Sequence, residues 1–162
     1  MKNIKTIDLI KLFFSISICL IAGFLGSFFT TPKISTWYAT LIKPSIAPPN
    51  WVFFPVWTAL FIMMGISLFL VWQKGLQDKQ VKTALSVFAI QLILNVLWSA
   101  VFFGLQSPIA GIIEISILWF FILVMVLKFM RISKAAGLLL IPYIIWVTFA
   151  AIINFLIWRL NI

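Results

Sequence analysis

Five long apolar runs, separated by short polar breaks, set the plan of this chain. The first, from Leu9 to Phe29, is about 21 residues long and at about 1.5 Å per residue covers the roughly 30 Å of a bilayer's hydrocarbon core. The next four are predicted at Val52 to Trp72, Val81 to Leu105, Pro108 to Met130 and Ala135 to Trp158, so the approximate spans are 9-29, 52-72, 81-105, 108-130 and 135-158. The first run follows Lys2, Lys5 and Asp8 but is too long for a signal peptide and has no A-x-A cleavage site. It is expected to remain as a helix.

Polar positions inside these runs are periodic. Gln91, Asn95, Trp98, Ser99 and Phe102 share one face of the third span, and Tyr143, Trp146, Ala150 and Asn154 share one face of the fifth. Lipid offers such faces no partners, so both are expected to turn inward. With Trp57, Phe61 and Met64 of the second span they would enclose an aromatic-walled pocket carrying the amides of Gln91, Asn95 and Asn154. A pocket of that kind suits a flat apolar ligand. The alternative is that these residues only hold helices together. Ser15, Cys19, Ala22, Gly23 and Gly26 form a stripe of small residues on the first span, suited to close helix contact. Ala100 and Gly104 have small-xxx-small spacing on the third, and a dimer surface is expected there. Glu114 stands inside the fourth span, where a carboxyl must face protein, water or a partner, either as a hydrogen-bonded structural group or as a functional one. Trp119, also on the fourth span, is expected to face lipid.

The break between the first two spans differs from the others. Trp37 to Trp57, WYATLIKPSIAPPNWVFFPVW, holds four of the seven prolines and three tryptophans. Lys43-Pro44 and Pro48-Pro49 interrupt a helix, because proline lacks an N–H and pushes the preceding residue out of the α region. The segment is predicted to be an ordered lid, with Pro55 in the first turn of the following helix.

Composition confirms the class. Of 162 residues, 64% are hydrophobic and 9% charged, the balance of an integral membrane protein and of one domain, 1-162. The net charge of +9 comes from lysines and arginines placed between apolar runs, which argues for topology and against nucleic-acid binding. With five spans, Lys2, Lys5, Lys11, Lys74, Lys79, Lys82, Lys128, Arg131 and Lys134 fall on the N-terminal side, and Lys33, Lys43 and Arg159 on the other. The positive-inside rule then puts the N-terminus in the cytoplasm, with the lid and the C-terminus on the opposite side. Histidine is absent and Cys19 is the single cysteine, so one chain offers no disulfide, zinc site or Cys-His pair. Three acidic residues, Asp8, Asp78 and Glu114, leave little material for acid–base catalysis or ion-coupled transport. No metal site and no cofactor are expected.

Three motifs give the chain a resemblance. Trp37 to Trp57 reads W-Y-x2-L-x-K-P-x3-P-P-x-W-x5-W, Gln91 to Phe103 reads Q-x3-N-x2-W-S-x2-F-F, and Pro142 to Asn161 reads P-Y-x2-W-x2-F-A-x3-N-x6-N. In this order, within five spans, they resemble the TspO/MBR translocator proteins, relatives of the peripheral-type benzodiazepine receptor. The resemblance implies an all-α bundle of five transmembrane helices, commonly a homodimer, binding porphyrins or other hydrophobic small molecules beneath the first loop. It carries ligand-binding roles onto Tyr38, Pro48, Pro49, Trp57, Asn95, Trp98, Ser99, Phe102, Trp146 and Ala150. A receptor, sensor or carrier of tetrapyrroles is the leading expectation. The rival is light-dependent porphyrin degradation, with Trp57 and Trp146 as redox-active neighbours; a third is an assembly partner whose pocket is adventitious. Two departures are visible: Ile46 stands where the family usually has an aromatic, and no Lys or Arg follows Tyr143 within five residues, so the proposed cholesterol motif is not formed.

Overall fold

The computed structural model describes residues 6–162, so Lys2 and Lys5, two of the charges used to orient the chain, lie outside the described residues. Helix α1 (Thr6–Ile34) leads through the short α2 (Trp37–Thr40) to α3 (Asn50–Trp72). Helix α4 (Lys79–Ser99) runs on into a π-helical turn, Ala100–Gly104, before α5 (Pro108–Ile132). The last span is broken into α6 (Lys134–Leu139) and α7 (Ile141–Leu160). Among the described residues, five helical stretches are long and apolar enough to cross a membrane: α1, α3, α4 with its π turn, α5, and α6 with α7.

Local chemistry explains the boundaries. The side chains of Asp78, Ser107 and Ser133 accept from the backbone N–H groups of Gln80, Ala110 and Ala136, capping α4, α5 and α6. Pro108 and Pro142 sit in the first turns of α5 and α7, where a missing N–H costs little. Pro142 therefore begins a new helix instead of sitting within a continuous fifth span. Helix α3 starts at Asn50, two residues before the predicted Val52, which leaves Pro55 in its second turn instead of its first and puts Trp51 on helix instead of loop.

The helices close into a ring. Helix α1 packs on α3 and α4, α4 on α5, α5 on α6 and α7, and α6 back on α3. Small residues let α1 approach: a Cβ on Gly65 would lie 2.5 Å from Ile16 Cα, and one on Gly26 would lie 3.2 Å from Ser99 Oγ. The small stripe of α1 thus serves contacts within the chain. Gly104 likewise lies against Phe29 of α1, at 3.3 Å from a Cβ built there. Phenylalanines Phe13, Phe28 and Phe120 point outward, as a lipid-facing surface requires. Alternating spans put Lys11, Lys74, Lys79, Lys82, Lys128, Arg131 and Lys134 at one end of the bundle and Lys33, Lys43 and Arg159 at the other.

Candidate ligand cavity

A cavity of about 450 Å³ opens in the half of the bundle nearest α2. That size lies within the roughly 300–1,000 Å³ of small-molecule sites. Its walls come from α1, α3, α4 with the π turn, and α7, with Tyr38 of α2 at its edge. Tyr38, Trp57, Asn95, Trp98, Ser99, Phe102 and Ala150 are all on its lining, as are Phe61 and Asn154.

The π turn shapes the most aromatic wall. Leu105 N–H donates to the carbonyl of Ala100, five residues back, so the turn is wider than an α turn. Two consecutive residues, Phe102 and Phe103, are consequently both buried and both line the cavity. Trp98 stacks on Phe102 with centroids 5.2 Å apart and an interplanar angle of 15°. Trp37 and Tyr38 close over these rings, at 5.4 Å and 6.3 Å from Phe102. Lys43 Nζ lies 4.8 Å from the centroid of the Tyr38 ring, a cation–π contact. Burial pushes the Tyr38 phenol above its usual range, so it remains a neutral side chain.

A side-chain clamp fixes the loop. The Asn161 amide accepts from Ile42 N–H at 3.0 Å and donates to Ile42 carbonyl at 3.0 Å, while the same Nδ2 lies 2.7 Å from the Ile157 carbonyl. This mimics the pairing of two backbone strands and ties the lid to the end of α7. It gives the final Asn of the third motif a physical role.

Polar groups on the cavity wall and below it are engaged with one another. Asn95 Nδ2 donates to Tyr143 OH at 2.9 Å, and Tyr143 OH donates to Gln91 Oε1 at 3.0 Å. Trp98 Nε1 donates to Asn154 Oδ1 at 3.3 Å, and Asn154 Nδ2 donates to the Pro108 carbonyl at 2.9 Å. The Asn154 bond bridges α7 to the first residue of α5, so one amide serves both packing and lining.

Several expected residues lie elsewhere. Pro48 and Pro49 are in the loop but off the cavity wall, Pro49 being exposed. Trp146 stands behind Phe53, with centroids 6.0 Å apart, and does not line the cavity; Phe53 does. Gln91 and Met64 are fully buried below the floor. Glu114 is buried, yet neither of its oxygens has a hydrogen-bond partner, against the expectation of a bonded structural carboxyl. Trp119 is half-buried and donates to Thr148 Oγ1 at 2.7 Å, so it staples α5 to α7 instead of facing only lipid. Sequence reasoning missed the whole contribution of α1, including Ser27, Thr30 and Thr31. Their hydroxyls were the available signal, but Ser27 and Thr30 bond back to the carbonyls of Phe24 and Gly26, so they cost an apolar helix little.

The comparisons agree on one kinship. A model of the TspO/MBR family matches residues 15–159. The tryptophan-rich protein TspO of Chlorobaculum tepidum is 51% identical over 154 residues, 95% of this chain and 98% of its own. The tryptophan-rich sensory protein of Cereibacter sphaeroides is 36% identical over 129 residues, 80% of this chain and 79% of its own. The translocator protein of Bos taurus is 31% identical over 142 residues, 87% and 84% of the two chains.

Proposed function

The chain belongs to the TspO/MBR family and is a multi-pass integral membrane protein, and from that premise we propose that it is a receptor or sensor for porphyrins or similar flat hydrophobic molecules. The observation that carries the reading is the cavity, about 450 Å³ walled by Trp57, Trp98, Phe102 and Phe103, with only a few amides to orient what enters. Stacking on such rings contributes roughly 0.5–1.5 kcal/mol per pair beyond area burial. The names of two relatives, a sensory protein and a translocator protein, support a sensing or carrying role for this chain.

Protoporphyrin titrated into the protein in lipid should quench tryptophan emission saturably. Asn95→Leu, which removes an amide on the wall, should weaken binding by about tenfold or less. Nonsaturating quenching, equal in wild type and variant, would refute the reading. The degradation alternative puts Trp57 and Trp146 beside the ligand; Trp57 lines the cavity and Trp146 does not, which favours binding over chemistry. A bound spectrum unchanged by illumination supports it; a new, protein-dependent product would support degradation.

Orientation and assembly belong to the same proposal. With the more basic end cytoplasmic, a cysteine at Ser35 should react with an impermeant thiol reagent outside intact cells, and one at Gln77 should not. The reverse labelling would invert the topology. A homodimer is proposed from the family, its test the mass of the detergent-solubilised protein.

A further inference from the structure

A second concavity lies at the end of the bundle away from the lid. It is an apolar groove of about 320 Å³, walled by Ile18 of α1, Leu68 and Trp72 of α3, and Leu85, Ala89 and Leu92 of α4. Ile18 and Ala89 are exposed at membrane depth, so the groove opens toward lipid. From Leu85 to Leu92 it follows α4 for about 10 Å, at about 1.5 Å per residue. Trp72, the last residue of α3, stands at its outer end. There Lys11 Nζ lies 5.7 Å from the centroid of the Trp72 ring. Lys11 precedes Ile18 by two helical turns, and Lys82 precedes Leu85 and Ala89 by one and two turns, so each lysine shares a helix face with the groove wall. Asp8 and Asp78 are the acidic residues at this end, and Asp78 caps α4.

An apolar slot with cations at its outer end matches a molecule with a hydrocarbon tail and an anionic head. Topology accounts for positive charge at this end of the bundle, but not for an ammonium laid on the aromatic wall of an open groove. A second copy of the chain, related by a two-fold axis along the membrane normal, would set Lys11 and Lys82 against the same lysines, an unfavourable pairing of like charges. The bilayer supplies the matching molecule at high concentration, and lysines beside the membrane surface favour anionic headgroups. We propose that the groove is a site for one anionic phospholipid, an acyl chain lying along Leu85 to Leu92 and the phosphate held by Lys11 and Lys82. The site is separate from the aromatic cavity, and its test uses no porphyrin.

Native mass spectrometry of the protein taken from bilayers of equal phosphatidylglycerol and phosphatidylcholine, with matched acyl chains, counts the lipids that stay bound. Wild-type protein should keep one phosphatidylglycerol per chain, in preference to phosphatidylcholine by about fivefold or more, since one lysine near the membrane surface contributes about that factor. Lys11→Gln combined with Lys82→Gln should abolish the preference, whereas Lys33→Gln combined with Arg159→Gln, at the opposite end, should preserve it. Ala89→Trp puts a ring into the groove from an exposed position, and should lower retained phosphatidylglycerol to the level of phosphatidylcholine. Equal retention of the two lipids by the wild type would overturn the proposal without recourse to any variant. So would undiminished retention by folded Ala89→Trp, or an equal loss in the two charge variants, which marks a diffuse effect of net charge. A shift of Ala89→Trp from dimer to monomer would give the groove to a second copy of the chain, and would also overturn it.

Discussion

The two halves of this bundle are made by the same five spans, yet one is closely packed, with only an open apolar groove of about 320 Å³ along Ile18, Leu68, Trp72 and Leu85, and the other holds the aromatic cavity. In the half that carries the start of α1, Val71, Val81, Ala84, Met125, Phe129 and Ala136 are completely buried. Phe88 and Phe129 stack there at 5.9 Å, and Ser67 Oγ donates to the Ala136 carbonyl at 2.8 Å. Glycines lie at the close approaches, Gly65 against Ile16 and Gly137 against Met130. In the half beneath α2, glycines still mark close approaches, Gly26 to Ser99 and Gly111 to Phe102, but bulky rings fill the space between helices, and a π turn pushes two of them inward. Small residues draw helices together by exposing backbone to contact, whereas large flat rings prop them apart. Gly23 stands at the border, where a Cβ would lie 2.5 Å from the ring of Phe61.

Breaking the packed half should cost the most. Phe88→Ala removes a ring from the Phe129 stack and should destabilise the protein by about 3–5 kcal/mol, read as a lower unfolding temperature in detergent. Protoporphyrin affinity of the folded fraction should stay at the wild-type value. A matching loss of affinity would mean that the halves are one cooperative site.

The loop clamp comes next. Asn161→Ala deletes both bonds to Ile42 and should cost about 1–2 kcal/mol. Its signature is local: faster proteolysis across residues 41–49 and faster ligand release, with the packed half untouched. Unchanged loop proteolysis would show that Tyr38 and Trp37 hold the lid without the clamp.

The smallest effect is expected at the outer wall. Trp119→Phe loses one hydrogen bond to Thr148, about 1 kcal/mol of stability, and should leave ligand affinity unaltered because the indole is outside the cavity. Sensitivity of affinity to Trp119 would point to partition into the apolar surface.

The packed half and the cavity were not equally legible in the sequence. Spans follow from apolar length, since few arrangements satisfy about 20 consecutive apolar residues. The Asn95 and Asn154 faces follow from helical spacing, because an amide in lipid has nowhere else to turn. The π turn left no such mark: one residue of extra width at Ala100 is decided by how Phe102 and Phe103 pack against Trp37 and Tyr38, which are distant in sequence. Trp146 shared a face with Ala150, but a face spans many degrees of arc, and Phe53 of α3 occupies the part nearest the cavity. The role of α1 was hidden because hydroxyls bonded to their own helix look like any small residue.

The central claim, that the cavity is a ligand site, is tested most directly by filling it. Ala150 is half-buried on its wall, so Ala150→Phe adds a ring to the empty space with little demand on the packed half. Protoporphyrin quenching titrations in lipid should show at least a tenfold loss of affinity, or about 1.4 kcal/mol, with the unfolding temperature held near the wild-type value. Wild-type affinity in a folded Ala150→Phe protein would contradict the account, because a molecule bound in this cavity has to share its volume with that ring.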